Sequence, residues 1–202
     1  MRAEEINQMF RGLVLGIVLG ILLVAGGVYF YFATGTAPVA VTAPNMPFER
    51  TMAKLALKAY LNKLPHPDPQ VPADEKNYLE GATVYKQNCA VCHGLPGGSK
   101  TAIAVGMAPK PPQLFEGMGV TDDDAWETYW KVKNGIRMTG MPGFDGRLTE
   151  PQIWQVTVLL KNGDKLPPAV MTSLKSDALK ATTESGMIPT PTTAPATTAT
   201  KP

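Results

Sequence analysis

The chain has 202 residues, a formal net charge of +2, and only two cysteines and two histidines. Its length suits one ordinary domain with appended segments, and its scattered lysines and arginines form no basic stripe, which argues against nucleic acid as a partner. The scarcity of cysteine and histidine limits every metal site that the chain could form.

An apolar segment at residues 12–32 contains 21 uncharged, mostly aliphatic residues. As a helix rising about 1.5 Å per residue, it spans the roughly 30 Å hydrocarbon core of a bilayer. We predict a single transmembrane anchor here; the alternative is a cleaved signal peptide, whose apolar core is usually about 7–15 residues long. Arg2 and Arg11 precede the span, which predicts that residues 1–11 are cytoplasmic. The rest of the chain would then lie on the periplasmic or outer face of a bacterial inner membrane.

Residues 33–73 are predicted to form a Pro-rich stalk. Within it, residues 48–64 have the apolar spacing of a short amphipathic helix. The apolar positions are Met52, Leu55, Ala59 and Leu61. Prolines crowd the far end of the segment and predict a stiff, extended spacer that lifts a folded head off the membrane.

The head, residues 74–166, is predicted to be all-α, because it contains no convincing alternating strand pattern. The first helix of the head is expected over residues 75–88. The residues predicted to lie on its buried stripe are Tyr78, Ala82, Tyr85 and Cys89, with Leu79 beside them.

Two further helices of the head are predicted from their capping signals. One begins at Thr121, before three aspartates, and ends at Asn134 and the glycine after it. The other has Thr149 as its N-cap and Gln152 in a capping box, and it ends at Asn162. Its predicted buried face contains Ile153, Val156 and Leu160. Three short helices with long loops make a thin core, which needs a bulky apolar filler.

The C-terminal extension, residues 167–202, has two predicted parts. Residues 169–180 are expected to form one more short helix. From about Thr182 the Thr-, Pro- and Ala-rich sequence lacks the apolar content needed to fold, and we expect a largely disordered tail.

The sequence KQNCAVCHG places Cys89 and Cys92 three positions apart, with His93 directly after them. C-x-x-C-H is the attachment sequence of covalent haem c, in which two thiols add to the haem vinyl groups and the imidazole can reach the iron. Structural zinc would need four ligands, and only His66 remains. A thioredoxin-type dithiol expects a preceding strand, and a plain disulfide leaves His93 unexplained. We predict one haem c, held by Cys89 and Cys92, with His93 as an axial iron ligand.

The stretches LEGATVYKQNCAVCHGLPG, NGIRMTGMPGF and LTEPQIWQVTVLLKNGDKLP resemble the haem site, distal loop and C-terminal helix of class I cytochromes c. The resemblance covers about residues 74–166 and does not extend to the stalk or tail. It implies an all-α fold around one covalent haem. It also implies that the first and last helices of the head cross, so that Gly81 and Tyr85 meet Ile153, Trp154 and their neighbours.

The second axial position of the iron decides what chemistry it can perform. Methionine is the expected ligand, because a thioether favours reduced iron. The candidates are Met107, Met118, Met138 and Met141. Met141 is preferred because glycines on both sides permit close approach, Pro142 stiffens the loop, and the Met-Pro pair matches the distal motif of the resembled family. His66 lies between two prolines and is a poor candidate.

The resemblance further implies that a proline carbonyl in the loop of residues 109–114 accepts a hydrogen bond from the other ring nitrogen of His93. Pro111 and Pro112 could equally serve only to stiffen this loop. Tyr129 and Trp130 are interpreted as core residues, with a hydrogen bond to a haem propionate as the alternative.

An iron with both axial positions filled has no open site for a substrate. We therefore expect a membrane-tethered one-electron carrier between respiratory-chain proteins, with no enzymatic activity of its own. One alternative is a fixed monohaem subunit of a larger membrane oxidoreductase, of the oxidase or nitric-oxide-reductase type. The close-approach spacing of Gly12, Gly16 and Gly20 fits such a helix partner. A third hypothesis is an open-site haem enzyme or gas sensor.

Overall fold

The computed structural model describes residues 2–117 and 119–176. Over these residues the chain is helical and contains no strand, which confirms the all-α prediction. The helices are α1 (Ala3–Ala33), α2 (Glu49–Leu61), α3 (Glu75–Asn88), α4 (Ala90–His93), α5 (Ala102–Gly106), α6 (Ala125–Asn134), α7 (Glu150–Lys161) and α8 (Pro168–Ser176). They divide into two compact units, with the boundary between Lys63 and Leu64.

Helix α1 is longer than the apolar segment 12–32 from which it was predicted. It begins at Ala3 because the Glu5 carboxylate accepts a hydrogen bond from the backbone N–H of Arg2 at 3.1 Å, and because acidic side chains suit the positive end of a helix. The helix is long and apolar enough to cross a membrane, and no residue in its most apolar stretch of 18 residues is buried. A signal sequence passes the same test of length and composition.

Helix α2 begins at Glu49, within the predicted amphipathic segment, and ends at Leu61. Its N-cap is Phe48, which adopts a left-handed conformation with φ of 62°. The backbone N–H of Met52 donates to the Phe48 carbonyl at 2.8 Å and closes the first turn.

The core of the second unit forms where α3 crosses α7, the crossing that the resemblance implied. Gly81 permits the close approach, because a Cβ there would collide with the carbonyl oxygen of Gln155 and lie 3.2 Å from the Cβ of Leu159. The predicted stripe of α3 is confirmed as buried, with each of its members at most 9% exposed: Tyr78, Ala82, Tyr85 and Cys89.

Helix α7 has the predicted capping box, formed by Thr149 and Gln152. The prediction of a single buried face was incomplete, since every residue from Ile153 to Leu160 is buried. The reason is that α7 packs against both α3 and α6, so that neither side of it faces solvent.

Helix α6 begins after Asp124, so the prediction that it begins at Thr121 was wrong. The ammonium of Lys161 donates to the carbonyls of Thr121 and Asp123, at 2.9 and 2.8 Å. Because these carbonyls are held by a side chain of α7, the segment forms a turn against α7 and the helix starts only after it.

Helix α8 covers most of the short helix predicted over residues 169–180 and packs against α3. Val170 and Leu174 are fully buried, and Lys86 of α3 donates to the carbonyl of Ser173 at 2.9 Å. Part of the C-terminal extension therefore belongs to the core of the second unit. The tail from Thr182 lies outside the described residues, so its disorder stays a prediction.

Candidate haem site

The C-x-x-C-H sequence forms the end of α3 and the single turn of α4. The backbone N–H groups of Cys92 and His93 both donate to the Cys89 carbonyl, at 3.0 and 2.9 Å, which winds the motif into one tight turn. Both cysteines are free thiols, Cys89 buried and Cys92 half-buried. The hydroxyl of Tyr85 donates to the Gly94 carbonyl at 2.7 Å and fastens the end of the turn to α3.

The protein environment of Cys89 favours the neutral thiol over the thiolate. Burial raises its pKa to about 12, and the nearby Cys92 adds to the effect. Burial also raises the pKa of Tyr85, whose ring packs edge-on against Phe115 at a centroid distance of 5.0 Å. The C-x-x-C-H turn therefore lies next to buried apolar side chains.

The imidazole of His93 is oriented by the Pro112 carbonyl, which lies in the loop of residues 109–114 where such a carbonyl was expected. Nδ1 lies 2.8 Å from that oxygen. Since a carbonyl only accepts hydrogen bonds, Nδ1 carries the hydrogen, which leaves a lone pair on Nε2 for a metal. Burial lowers the pKa of His93, although the hydrogen bond to Pro112 acts in the opposite direction. A neutral imidazole is the form that binds iron.

Met141 lies in a loop whose backbone is tied together at several points. The backbone N–H of Met141 donates to the Thr139 hydroxyl at 3.1 Å, and the backbone N–H of Ile136 donates to the Met141 carbonyl at 3.2 Å. Gly135, with φ of 71°, packs against the chain at Gly143, where a Cβ would lie 2.6 Å from the nitrogen of Gly143. The two glycines therefore let the loop close on itself.

A cavity of about 220 Å³ opens between these elements. It is lined by all four predicted site residues: Cys89, Cys92, His93 and Met141. The thin core thus has the apolar space that the sequence predicted for a bulky group.

The other candidate ligands lie in different surroundings. Met107 also lines the cavity, with its methyl group close to Gly140. Met138 is 71% exposed and is not part of the lining, and Met118 lies outside the described residues. The imidazole of His66 stacks on the ring of Trp126, with centroids 3.9 Å apart, and does not line the cavity.

Thr128 of α6 is a cavity residue that the sequence reasoning missed. Its side chain lines the cavity, and its hydroxyl is buried without a hydrogen-bond partner. A buried hydroxyl without a partner is uncommon in a folded protein. The signal in the sequence is its four-residue spacing from Val132, which puts both residues on one face of α6. The thiols, the imidazole and the apolar walls of the cavity fit a haem.

One lysine of α6, Lys131, also lines the cavity. Its ammonium lies 2.6 Å from the Glu127 carboxylate and 3.0 Å from that of Asp123. Burial acts to lower the pKa of Lys131, but its hydrogen bonds to the two carboxylates outweigh burial and raise it. The cavity wall therefore contains a lysine that is positively charged at neutral pH, and the carboxylates of Asp123 and Glu127 neutralise its charge.

Tyr129, one of the two aromatic residues considered for a propionate contact, makes other contacts. Its ring stacks on Trp154 at a centroid distance of 4.1 Å, and its hydroxyl donates to Glu150. Lys133 donates to the Tyr129 hydroxyl and to Glu150, each at 3.1 Å. The bond from Tyr129 is the largest cause that lowers the pKa of Glu150, and Lys133 contributes. Neither Tyr129 nor Trp130 lines the cavity.

Comparison with known proteins finds relatives of the segment that contains this site. The family described as "Cytochrome C oxidase, cbb3-type, subunit III" matches residues 76–160, the segment that surrounds the cavity. Cytochrome c6 of a Synechococcus species is 36% identical over 85 residues, which are 42% of this chain and 69% of that protein. Cytochrome c6 of Limnospira maxima is 37% identical over 76 residues, which are 38% of this chain and 81% of that protein.

A larger relative is the cbb3-type cytochrome c oxidase subunit CcoP of Azospirillum brasilense. It is 34% identical over 83 residues, which are 41% of this chain but 27% of that protein. No solved structure matches the chain. The cytochrome c6 relatives are covered over most of their length, and the cavity with its paired thiols and imidazole fits the haem that such proteins hold. The chain therefore belongs to the class I monohaem cytochromes c, which transfer electrons through one covalently bound haem c.

Proposed function

We propose that this cytochrome is a membrane-tethered one-electron carrier, whose iron is bound by His93 and Met141 and which catalyses no reaction of its own. The observation that carries the proposal is that both side chains line the cavity that contains the two thiols. Haem c supplies an iron that changes oxidation state by one electron, at a potential set by its ligands, hydrogen bonds and exposure. The chain would supply both ligand side chains and the largely apolar walls around the haem.

Met141 is preferred to Met107 as the sixth ligand because its backbone is held on both sides. The hydrogen bonds to Thr139 and Ile136 fix the peptide groups on either side of its side chain. Met107 follows the short helix α5, and its terminal methyl packs near Gly140. A thioether that packs against a loop glycine is better suited to filling space than to holding a metal.

The ligand assignment is tested by spectra and potentials of the matured, haem-containing protein. Met141→Ala should abolish the weak far-red sulfur-to-iron absorption band of the oxidised protein and lower the midpoint potential, because a thioether favours reduced iron. Met107→Ala is the matched control, since it removes the other thioether of the cavity. If the band is lost in Met107→Ala and persists in Met141→Ala, Met107 is the iron ligand and Met141 is not.

Helix α1 supports the tether. It is long and apolar enough to span a bilayer, and the apolar residues along it are exposed rather than packed into a core. We propose that it spans the bacterial inner membrane with the haem domain on the periplasmic face. The chain should therefore stay in the membrane fraction after washing with high salt and alkali. Release of the full haem protein by that wash would contradict the tether.

A second candidate function is a fixed subunit of a larger membrane oxidoreductase. The match to the cbb3-type subunit III family and the likeness to CcoP favour it. Extraction in a mild detergent separates the two functions, since a carrier should migrate alone and a subunit should co-migrate with an oxidase. A third function is gas sensing or catalysis at an iron with an open axial position. It would require the reduced protein to bind carbon monoxide at neutral pH, and Met141 bound to the iron should prevent that binding.

A further inference from the structure

Helix α2, between the proposed membrane span and the haem domain, has a continuous apolar stripe that faces solvent. Met52, Leu55 and Ala59 follow the spacing of one helical face, and Met52 and Leu55 are 55% and 59% exposed. Phe48, the N-cap residue, extends the apolar surface at the start of the helix and is 75% exposed. Large apolar side chains that are gathered on one exposed face indicate a surface that binds something.

The side of α2 opposite this stripe has three basic residues, together with the half-buried Leu57 and the buried Leu61. Arg50, Lys54 and Lys58 are exposed, and Glu49 at the first position is the one acidic residue of the helix. Three positive charges against one negative charge leave the helix with a net charge of +2. A basic face opposite an apolar stripe is the pattern of helices that lie in the plane of an anionic membrane surface. Lysine side chains can place their apolar stems along such a surface while their ammonium groups contact the headgroups.

The position of α2 in the chain keeps it close to a bilayer. Residues 34–48 separate it from α1, and 15 residues reach at most about 50 Å even when fully extended. If α1 spans the membrane, α2 is confined near its surface, so that even weak affinity suffices for binding. This step rests on the tether proposed above.

A second copy of the chain is a poorer occupant of the stripe than lipid. Stable protein interfaces bury about 1,200–2,000 Å² in total, far more than a few side chains of a 13-residue helix supply. A helix of this length is marginal on its own in water, whereas an interface can stabilise it.

We propose that α2 lies flat in the headgroup layer of the membrane that anchors the chain. Its stripe of Met52, Leu55 and Ala59 enters the acyl boundary, while Arg50 and the two lysines contact anionic lipid headgroups. The helix thus forms a second attachment to the bilayer, between the span and the haem domain.

The experiment uses the full haem-containing chain in nanodiscs of phosphatidylcholine and phosphatidylglycerol, with and without bromine on the acyl chains. Leu55→Trp puts a fluorescent probe on the stripe, and Lys54→Trp puts one on the basic face as the matched control. Emission of the unmodified chain is subtracted, and the haem absorption spectrum checks that each variant is folded. We expect brominated lipid to quench the probe at position 55 at least twofold more than the probe at position 54.

Equal quenching at the two positions, or none at either, would overturn the proposal. Emission at position 55 that shifts with protein concentration but ignores bromine would assign the stripe to a second copy instead. In nanodiscs of phosphatidylcholine alone, quenching at position 55 should fall, because the headgroup charge is missing. Failure of the tether is seen separately: the unmodified chain would then not float with vesicles after a high-salt wash. If it floats while position 55 is unquenched, only the placement of α2 is wrong.

Discussion

Gly81 gives the sharpest test of how the haem domain is held together. In Gly81→Ala the new Cβ would lie 2.8 Å from the carbonyl carbon of Gln155, and still closer to its oxygen. Ordinary contacts of a Cβ begin at about 3.4 Å. Both obstacles are main-chain atoms of α7, so no side-chain rotation relieves the collision. The two helices must separate by roughly 1 Å, a gap that forfeits a quarter to a half of each dispersion contact along the crossing.

The magnitude follows from two opposing effects. Replacing glycine by alanine inside a helix gains about 1 kcal/mol of helix propensity. Overpacking costs about 1–3 kcal/mol, and the upper end applies because the obstacle is backbone. We therefore expect the free energy of unfolding to fall by about 2 kcal/mol.

The assay is guanidinium unfolding of the haem-containing protein, followed by helical circular dichroism. The matched control is Gly106→Ala in α5, where an added Cβ has no heavy atom within 4 Å. This control should leave stability unchanged or slightly raised. If Gly81→Ala unfolds at the same denaturant concentration as the unchanged protein, the crossing is not as close as described and the reasoning fails.

Three further predictions concern the site and its supports. Thr128→Val should shift the midpoint potential by up to roughly 40 mV, which is the one-electron equivalent of a hydrogen bond of about 1 kcal/mol that is made in one redox state alone, while Thr128→Ser should keep the potential of the unchanged protein. Glu150→Gln should cost about 0.2–1 kcal/mol of stability at neutral pH, since this carboxylate is half exposed. Because the pKa of Glu150 is lowered below its ordinary 4.5, the cost should vanish as the pH falls through the folded pKa, in unfolding curves at several pH values. His66→Ala removes the stack on Trp126 and should speed amide hydrogen exchange in residues 64–73.

Each of these predictions has a result that would contradict it. A potential that is unchanged in Thr128→Val would mean that the buried hydroxyl does not interact with the haem. A cost of Glu150→Gln that persists at low pH would assign the effect to packing rather than to charge. If amide hydrogen exchange in residues 64–73 is equally fast with and without His66, the stack on Trp126 does not order that segment.

Local patterns were enough to predict much of the haem domain. The capping box at Thr149 and the C-x-x-C-H sequence depend on residues within one or two turns of each other, and such signals can be read along the chain. The apolar spacing of α3 likewise identified the face that meets α7. The position of Met141 in the cavity was expected from the glycines and proline of its own loop.

The features that sequence reasoning missed depend on contacts between distant segments. Helix α6 starts late because Lys161, on another helix, holds the carbonyls at Thr121 and Asp123. Helix α7 is buried on every side because it lies between α3 and α6, which no periodicity within α7 could reveal. The burial of Thr128 was hidden because a threonine in a helix is ordinarily exposed or bonded to its own backbone.

The closed loop around Met141 has a consequence for how partners recognise this protein. Since Gly135 and Gly143 pack backbone against backbone, the two ends of the loop are held together. We expect the contour of this loop to be the same before and after each electron transfer. A docking protein would then have no change of contour to sense, and only a single unit of charge would distinguish a cytochrome that brings an electron from one that has delivered it.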